Sequence, residues 1–232
     1  MIELYDLVNK KDGNHFSPFS WRSIMALKHK GIEFTQHGLT FTEINEQIPK
    51  LSNGEWDKVP FIKFDNNNIV YDSTKIADYL EERYPGNPLF PNGRYFSSFL
   101  ENHANIFAPL FQSIILNVYD SLLPKDQEYF RKTREAWFGM TLEEFAGKKE
   151  GHKEAIEKLF LPFRMSLVNI KYLEGDKPSY SDYVLFGHLK FVQMTSISTF
   201  DMIVTNHQDQ SLKDWWDSIQ SLNDGFAASF KP

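Results

Sequence analysis

The stretch that most limits this chain is Pro85-Gly86-Asn87-Pro88-Leu89-Phe90-Pro91-Asn92-Gly93, with three prolines and two glycines in nine residues. No helix or strand runs through it, because proline removes a donor and clashes with the preceding turn. The hydrophobic period also changes across it. Strand-like alternation mixed with helices lies before, and only helical spacing lies after. The chain therefore divides into a unit at 1–85, a linker at 86–94 and a unit at 95–232.

In the first unit, Ile2-Glu3-Leu4-Tyr5-Asp6-Leu7-Val8 alternates as a strand does. A polar loop at 9–14 leads to a helix with apolar residues at Trp21, Ile24, Met25 and Leu27. Ser17 stands at its boundary and Pro18 follows at the first turn, where a missing N–H costs nothing. Lys28, His29 and Lys30 suit the negative end of the helix dipole, and Gly31 stops it. A second strand is expected at 32–39, so strand, helix and strand form a right-handed crossover with a parallel pair. A short helix at 42–48 and an irregular stretch at 51–58 follow. Val59-Pro60-Phe61-Ile62-Lys63-Phe64 reads as a strand beginning at proline. A polar turn at 65–68 returns the chain antiparallel through Ile69-Val70-Tyr71, and Asp72-Ser73 opens a helix that Pro85-Gly86 ends.

The second unit reads as all helix. The spacing predicts a long helix at 96–116 kinked near Pro109, then helices at 126–145, at 152–173 with a break at Pro162, at 181–195 and at 211–222. The fold class is thus α/β followed by all-α. Composition narrows the function. Hydrophobic residues are 41% and charged residues 24%, as in globular proteins, and the 21 Phe point to an aromatic core or an apolar cavity. A net charge of −6 without a basic stripe argues against nucleic acid as partner. With no cysteine there is no protein thiol for disulfide, metal or redox chemistry. The seven His show no metal-binding spacing, so no metal is expected. No signal peptide or membrane span is expected, which favours a cytoplasmic protein.

On its residues alone Ser17 is either an N-cap or, at the positive end of a helix after a strand, a hydroxyl placed to stabilise an anion. Three motifs bear on the choice. Ser17-Pro18-Phe19-Ser20-Trp21-Arg22 is similar to the opening of zeta-class and of fungal and bacterial β-etherase-like enzymes. Val59-Pro60, a hairpin and then Asp72-Ser73 resemble a glutathione-binding half-site. Pro178-Ser179-Tyr180-Ser181-Asp182-Tyr183 resembles the capping box of a central helix. In that order and spacing they resemble the cytosolic glutathione transferases, Ser-type, closest to the β-etherase-like (fungal FuA-type) group with zeta-like features.

The resemblance implies a thioredoxin-like N-terminal domain that binds glutathione, an all-helical C-terminal domain that contributes a hydrophobic site, and a homodimer. It implies Ser17 as the catalytic hydroxyl that favours the glutathione thiolate for attack on hydrophobic electrophiles, with peroxidase or β-etherase activity as variants. Glutathione would be the co-substrate. Ser73 and the N–H groups of its helix would hold the γ-glutamyl carboxylate, and Asp72 would face the ammonium or order the loop. Val59 would pair its backbone with the tripeptide beside a cis Pro60, and Lys58 would meet the glycyl carboxylate. Phe19, Ser20, Phe107 and Phe111 are the expected substrate-side residues, with His103 as a further polar contact. Two other readings stay open: a non-catalytic carrier of apolar ligands, and a zeta-like glutathione-dependent isomerase, which would need basic groups in the substrate site.

Overall fold

In the computed structural model, which describes residues 1–66, 68–102 and 104–232, four strands form one mixed sheet. Strands β1 (Ile2–Leu7), β2 (Phe34–Leu39), β3 (Phe61–Lys63) and β4 (Ile69–Tyr71) lie in the order β2-β1-β3-β4. β1 and β2 are parallel, with Ile2 opposite Phe34 and Leu7 opposite Leu39, while β3 is antiparallel to both β1 and β4. Helix α1 (Pro18–His29) makes the crossover, and α2 (Phe41–Leu51) and α3 (Ser73–Arg83) complete the thioredoxin-like domain. The expected topology holds.

Two details of this half differ from the expectation. β3 starts at Phe61 and not at Pro60, because the Val59–Pro60 peptide is cis and turns the chain before the ladder begins. β2 starts at Phe34, since Gly31 at φ 67° and Ile32 still belong to the turn leaving α1.

The second half is helical throughout. Helix α4 (Tyr95–Asn102), a 3-10 turn (Ala104–Phe107) and α5 (Ala108–Ser121) replace the single long helix expected at 96–116. Pro109 does not kink a helix but sits in the first turn of α5, where proline is tolerated. The apolar spacing runs unbroken across the join because both helices face the same core. Likewise 126–145 is two helices, α6 (Pro124–Phe138) and α7 (Leu142–Ala146). Gly139 at φ 70° ends the first, and a Thr141–Glu144 capping box starts the second. Helix α8 (Lys149–Leu167) passes through Pro162 without the expected break; Pro162 is exposed, as is Lys158, the residue whose carbonyl a proline at this position leaves without a helical donor. Then come α9 (Tyr180–Thr195), α10 (Ile197–Phe200), a π turn (Asp201–Thr205) and α11 (Ser211–Gln220). His103 lies outside the described residues.

The halves are joined through α1 and α9, which pack along their length. Gly187 makes this approach possible: a Cβ there would stand 2.3 Å from the Pro18 carbonyl oxygen. Buried Asp182 holds the start of α9. It accepts hydrogen bonds from the backbone N–H of Leu173 and Ser179, from Ser179 Oγ and from Trp215 Nε1, at 2.8–3.0 Å. A second link crosses from α6, where buried Asp126 accepts from the Thr42 N–H of α2 at 2.8 Å.

Candidate functional site

Strand directions bring three chain segments to one end of the sheet. The chain leaves β1 there toward α1, enters β3 there through Val59–Pro60, and leaves β4 there toward α3. Ser17, Val59 and Asp72-Ser73 therefore lie at the same end of the sheet, although Ser17 is 42 or more residues from the others in sequence. Sheet topology, and not any local propensity, assembles them.

Ser17 is the N-cap of α1, with extended backbone (φ −61°, ψ 120°) and 3% exposure. Its Oγ accepts from the Ser20 N–H at 3.1 Å. That bond uses a lone pair and leaves the hydroxyl proton available to a ligand. No acidic residue stands in the first turn of α1, so the positive helix end behind Ser17 is uncompensated. Cap and anion donor are compatible uses of one hydroxyl. Ser20 itself is fully buried, and its Oγ has no hydrogen-bond partner among the described residues.

Asp72 caps α3 from a left-handed backbone (φ 71°), its Oδ1 accepting from Thr74 N–H at 2.9 Å and Lys75 N–H at 3.3 Å. The Ser73 N–H, first of the helix, has no intrahelical acceptor and no other partner among the described residues; the Ser73 hydroxyl is likewise unclaimed. The Ser73 carbonyl serves the fold instead, accepting from the buried Tyr180 hydroxyl at 2.9 Å. Val59 is half-buried, and its backbone N–H and C=O make no hydrogen bond among the described residues. Lys58 is exposed, with Nζ 5.7 Å from the Trp56 ring centroid; Trp56 stacks on Tyr71 at 4.7 Å.

The four expected substrate-side residues do not form one group. Phe19 is 46% exposed and Phe107 is buried, yet both rings meet His188 of α9, at 6.4 and 3.7 Å between centroids. Phe111 belongs to another aromatic set, edge-on to Phe138 and Phe145 and tilted against Phe191. Phe191 stacks on Phe16, so this set reaches back to the residue before Ser17.

Sequence reasoning missed Arg22 and His188. Arg22 is 4% exposed, its guanidinium carbon 4.6 Å from the Phe19 ring centroid, and its Nη2 donates to His188 Nε2 at 2.9 Å. Arginine stays charged, so His188 accepts as a neutral imidazole. Burial and the adjacent Arg22 push the His188 pKa well below the usual histidine range, which agrees. Burial also lowers the Arg22 pKa, against the opposing pull of Tyr180, Glu101 and Asp72. The available signal was Arg22 between Trp21 and Ile24-Met25, on the apolar half of its helix. Its partner, 166 residues away, left none.

Among the described residues no group of three or more His, Asp or Glu is placed to hold a metal ion, and no helix is long and apolar enough to cross a membrane. The site offers anion donors at two helix starts and a free strand-like edge between them. It can hold an extended molecule with a carboxylate at one end and a nascent anion at the other.

The glutathione S-transferase N-terminal domain model matches residues 13–88, and the glutathione S-transferase C-terminal domain model matches residues 94–230. A glutathione S-transferase-like protein, ustS of Aspergillus flavus, is 25% identical over 229 residues, covering 85% of this chain and 82% of its own. Glutathione transferase GSTFuA2 from Phanerochaete chrysosporium is similar in structure, with TM-score 0.69 and 26% identity over 99% of this chain and 94% of that one. A glutathione S-transferase of Ceriporiopsis subvermispora, solved in complex with glutathione, has TM-score 0.77 and 21% identity over 97% of this chain and 98% of that one.

Proposed function

The chain belongs to the glutathione S-transferase family of enzymes, and from that premise we propose that it is a serine-type member. In this reading the Ser17 hydroxyl donates to the sulfur of bound glutathione, and the thiolate attacks hydrophobic electrophiles, with peroxide reduction or ether cleavage as variants of the same step. Ser73 and the start of α3 receive the γ-glutamyl carboxylate, Asp72 orders that turn, Val59 pairs with the tripeptide backbone beside Pro60, and Lys58 reaches the glycyl carboxylate. Phe19 and Phe107, which meet at His188, border the apolar side, with Phe111 from its separate aromatic set and Ser20 as further substrate-side residues. A cytoplasmic homodimer is part of the same proposal.

The carrying observation is the state of Ser17: its Oγ accepts from the Ser20 N–H at the helix start, and its proton is given to no acceptor among the described residues. A hydrogen bond to a charged group contributes about 1.5–3 kcal/mol, and one pKa unit is about 1.36 kcal/mol. One hydroxyl therefore lowers the bound thiol pKa by about one to two units. The chain has no cysteine, so the sulfur must come from the co-substrate.

The test is the pKa of the bound thiol, followed by thiolate ultraviolet absorbance. Ser17→Ala raises it by about one to two units and lowers conjugation of an aryl halide at neutral pH, whereas Ser17→Thr, which keeps the hydroxyl, restores most of both. An unchanged thiol pKa in Ser17→Ala removes the serine role, and binding of apolar compounds without any conjugate formed supports the carrier reading instead.

A further inference from the structure

Lys190, in the middle of α9, is 1% exposed, and no carboxylate pairs with it among the described residues. A buried ammonium is costly unless all its donors are used. Here all three are: Nζ donates to Gln193 Oε1 at 2.8 Å, to the Ala227 carbonyl at 3.0 Å and to the Phe230 carbonyl at 2.7 Å. The Trp21 and Trp216 ring centroids lie 5.4 and 6.0 Å from it. Among the described residues Gln193, Trp21 and Trp216 are the side chains recorded against Nζ, and none of them titrates.

Two of those three acceptors belong to the last residues of the chain. The chain reverses after α11 through three successive left-handed residues, Asn223, Asp224 and Gly225 (φ 52°, 57° and 74°). Asn, Asp and Gly are the types that tolerate this backbone. Past the reversal the segment runs back along α1. Phe226 meets Phe34 at 6.4 Å, with Lys28 Nζ 4.9 Å from its ring centroid. Phe230 stands edge-on to Trp21 at 5.2 Å and to His15 at 5.3 Å. Trp21 Nε1 in turn donates to the His15 carbonyl at 3.0 Å, and His15 Nδ1 is 3.0 Å from the buried Asp6 carboxylate. His15 lies two residues before Ser17. The path from Lys190 to the Ser17 loop is thus one aromatic ring long.

We propose that residues 226–232 form a latch, fastened by Lys190 Nζ through the Ala227 and Phe230 carbonyls, that holds the loop from His15 to Ser17 in its working position; Lys190 is then a positioning residue. Only the functional half of this rests on the Ser17 reading.

Amide hydrogen exchange on the full-length protein tests the mechanical half without glutathione. Lys190→Met raises exchange at least tenfold in 226–232 and in 14–17. Phe230→Ala, which keeps both carbonyl acceptors of Lys190 and serves if Lys190→Met fails to fold, raises it in 14–17. Unaltered exchange in the tail of Lys190→Met shows that Lys190 is not the fastener, and a loosened tail with 14–17 within twofold of wild type breaks the coupling. With glutathione bound, each variant raises the thiol pKa by half a unit or more, and the double variant adds nothing further. A thiol pKa unmoved by a loosened loop overturns the positioning role. Absence of glutathione binding in wild type would instead refute the proposed function and leave the exchange result standing.

Discussion

Replacing Gly187 by alanine sets two effects of opposite sign against each other. Gly187 lies inside α9, and alanine there improves helix propensity by about 0.8–1.0 kcal/mol. The added Cβ, however, would lie 2.3 Å from the Pro18 carbonyl oxygen, 3.2 Å from the Pro18 carbonyl carbon and 3.4 Å from Arg22 Cγ. The first contact is about 1 Å short of ordinary van der Waals distance. It strikes backbone, not a flexible side-chain end, so α1 and α9 must part. They are tied close to that point by Arg22 to His188 and further along by His29 to the Tyr183 hydroxyl at 2.7 Å, which limits relaxation. Overpacking of this kind costs about 1–3 kcal/mol, and the backbone contact places it in the upper half of that range. The net loss is about 1–2 kcal/mol. For a chain of this size each kcal/mol lowers Tm by about 2–4 °C, so a fall of about 2–8 °C is expected by scanning calorimetry or circular dichroism. Gly151→Ala in α8 is the control, because its Cβ meets nothing within 4 Å and propensity alone should keep or raise Tm. A Gly187→Ala protein melting at or above wild type would refute the claim that this glycine sets the distance between the halves.

Two further outcomes concern charge. Asp126→Ala leaves the Thr42 N–H of α2 without its buried acceptor and should cost about 1.5–3 kcal/mol in denaturant unfolding, while Asp126→Asn, which keeps an oxygen there, should cost less than half as much; equal losses would show that the carbonyl geometry, not the acceptor, was at fault. Lys190 gives the pH dependence. Burial lowers its pKa from 10.5 to about 7, so between those values the unfolded chain holds a proton that the native one does not. Stability attributable to Lys190 therefore rises with pH from about 7 to 10.5, by at most about 1.4 kcal/mol per unit, and is flat below. Wild type should gain on Lys190→Met in unfolding free energy between pH 7 and 9, and a constant difference would contradict the shift.

The order of elements could be read from the residues wherever a local rule was decisive. Alternation in β1, the capped start of α1 at Ser17-Pro18 and the proline-rich linker all follow from neighbours in sequence. The helix breaks at 104–107 and 139–141 could not be read from apolar spacing, because spacing reports which face is buried and is blind to a change of axis that keeps the same face inward. Pro109 and Pro162 show the same limit: a proline's effect depends on whether it opens a turn or faces water. At the site, Ser17, Val59 and Ser73 were identifiable as chemical types from motifs. That Ser20 has no partner for its hydroxyl, and that Phe111 keeps different company from Phe19 and Phe107, were not.

By itself, then, the sequence determined the two-part chain, the strand and helix order, and the hydroxyl and free N–H groups on offer, since each follows from residues within a few positions of one another. Only the tertiary structure decided that Arg22 is answered by His188, that Lys190 is satisfied by the Ala227 and Phe230 carbonyls, and that Gly187 meets Pro18. Burying an unpaired donor or closing two helices to contact is settled by groups more than thirty residues apart, and no local pattern encodes which of them will meet.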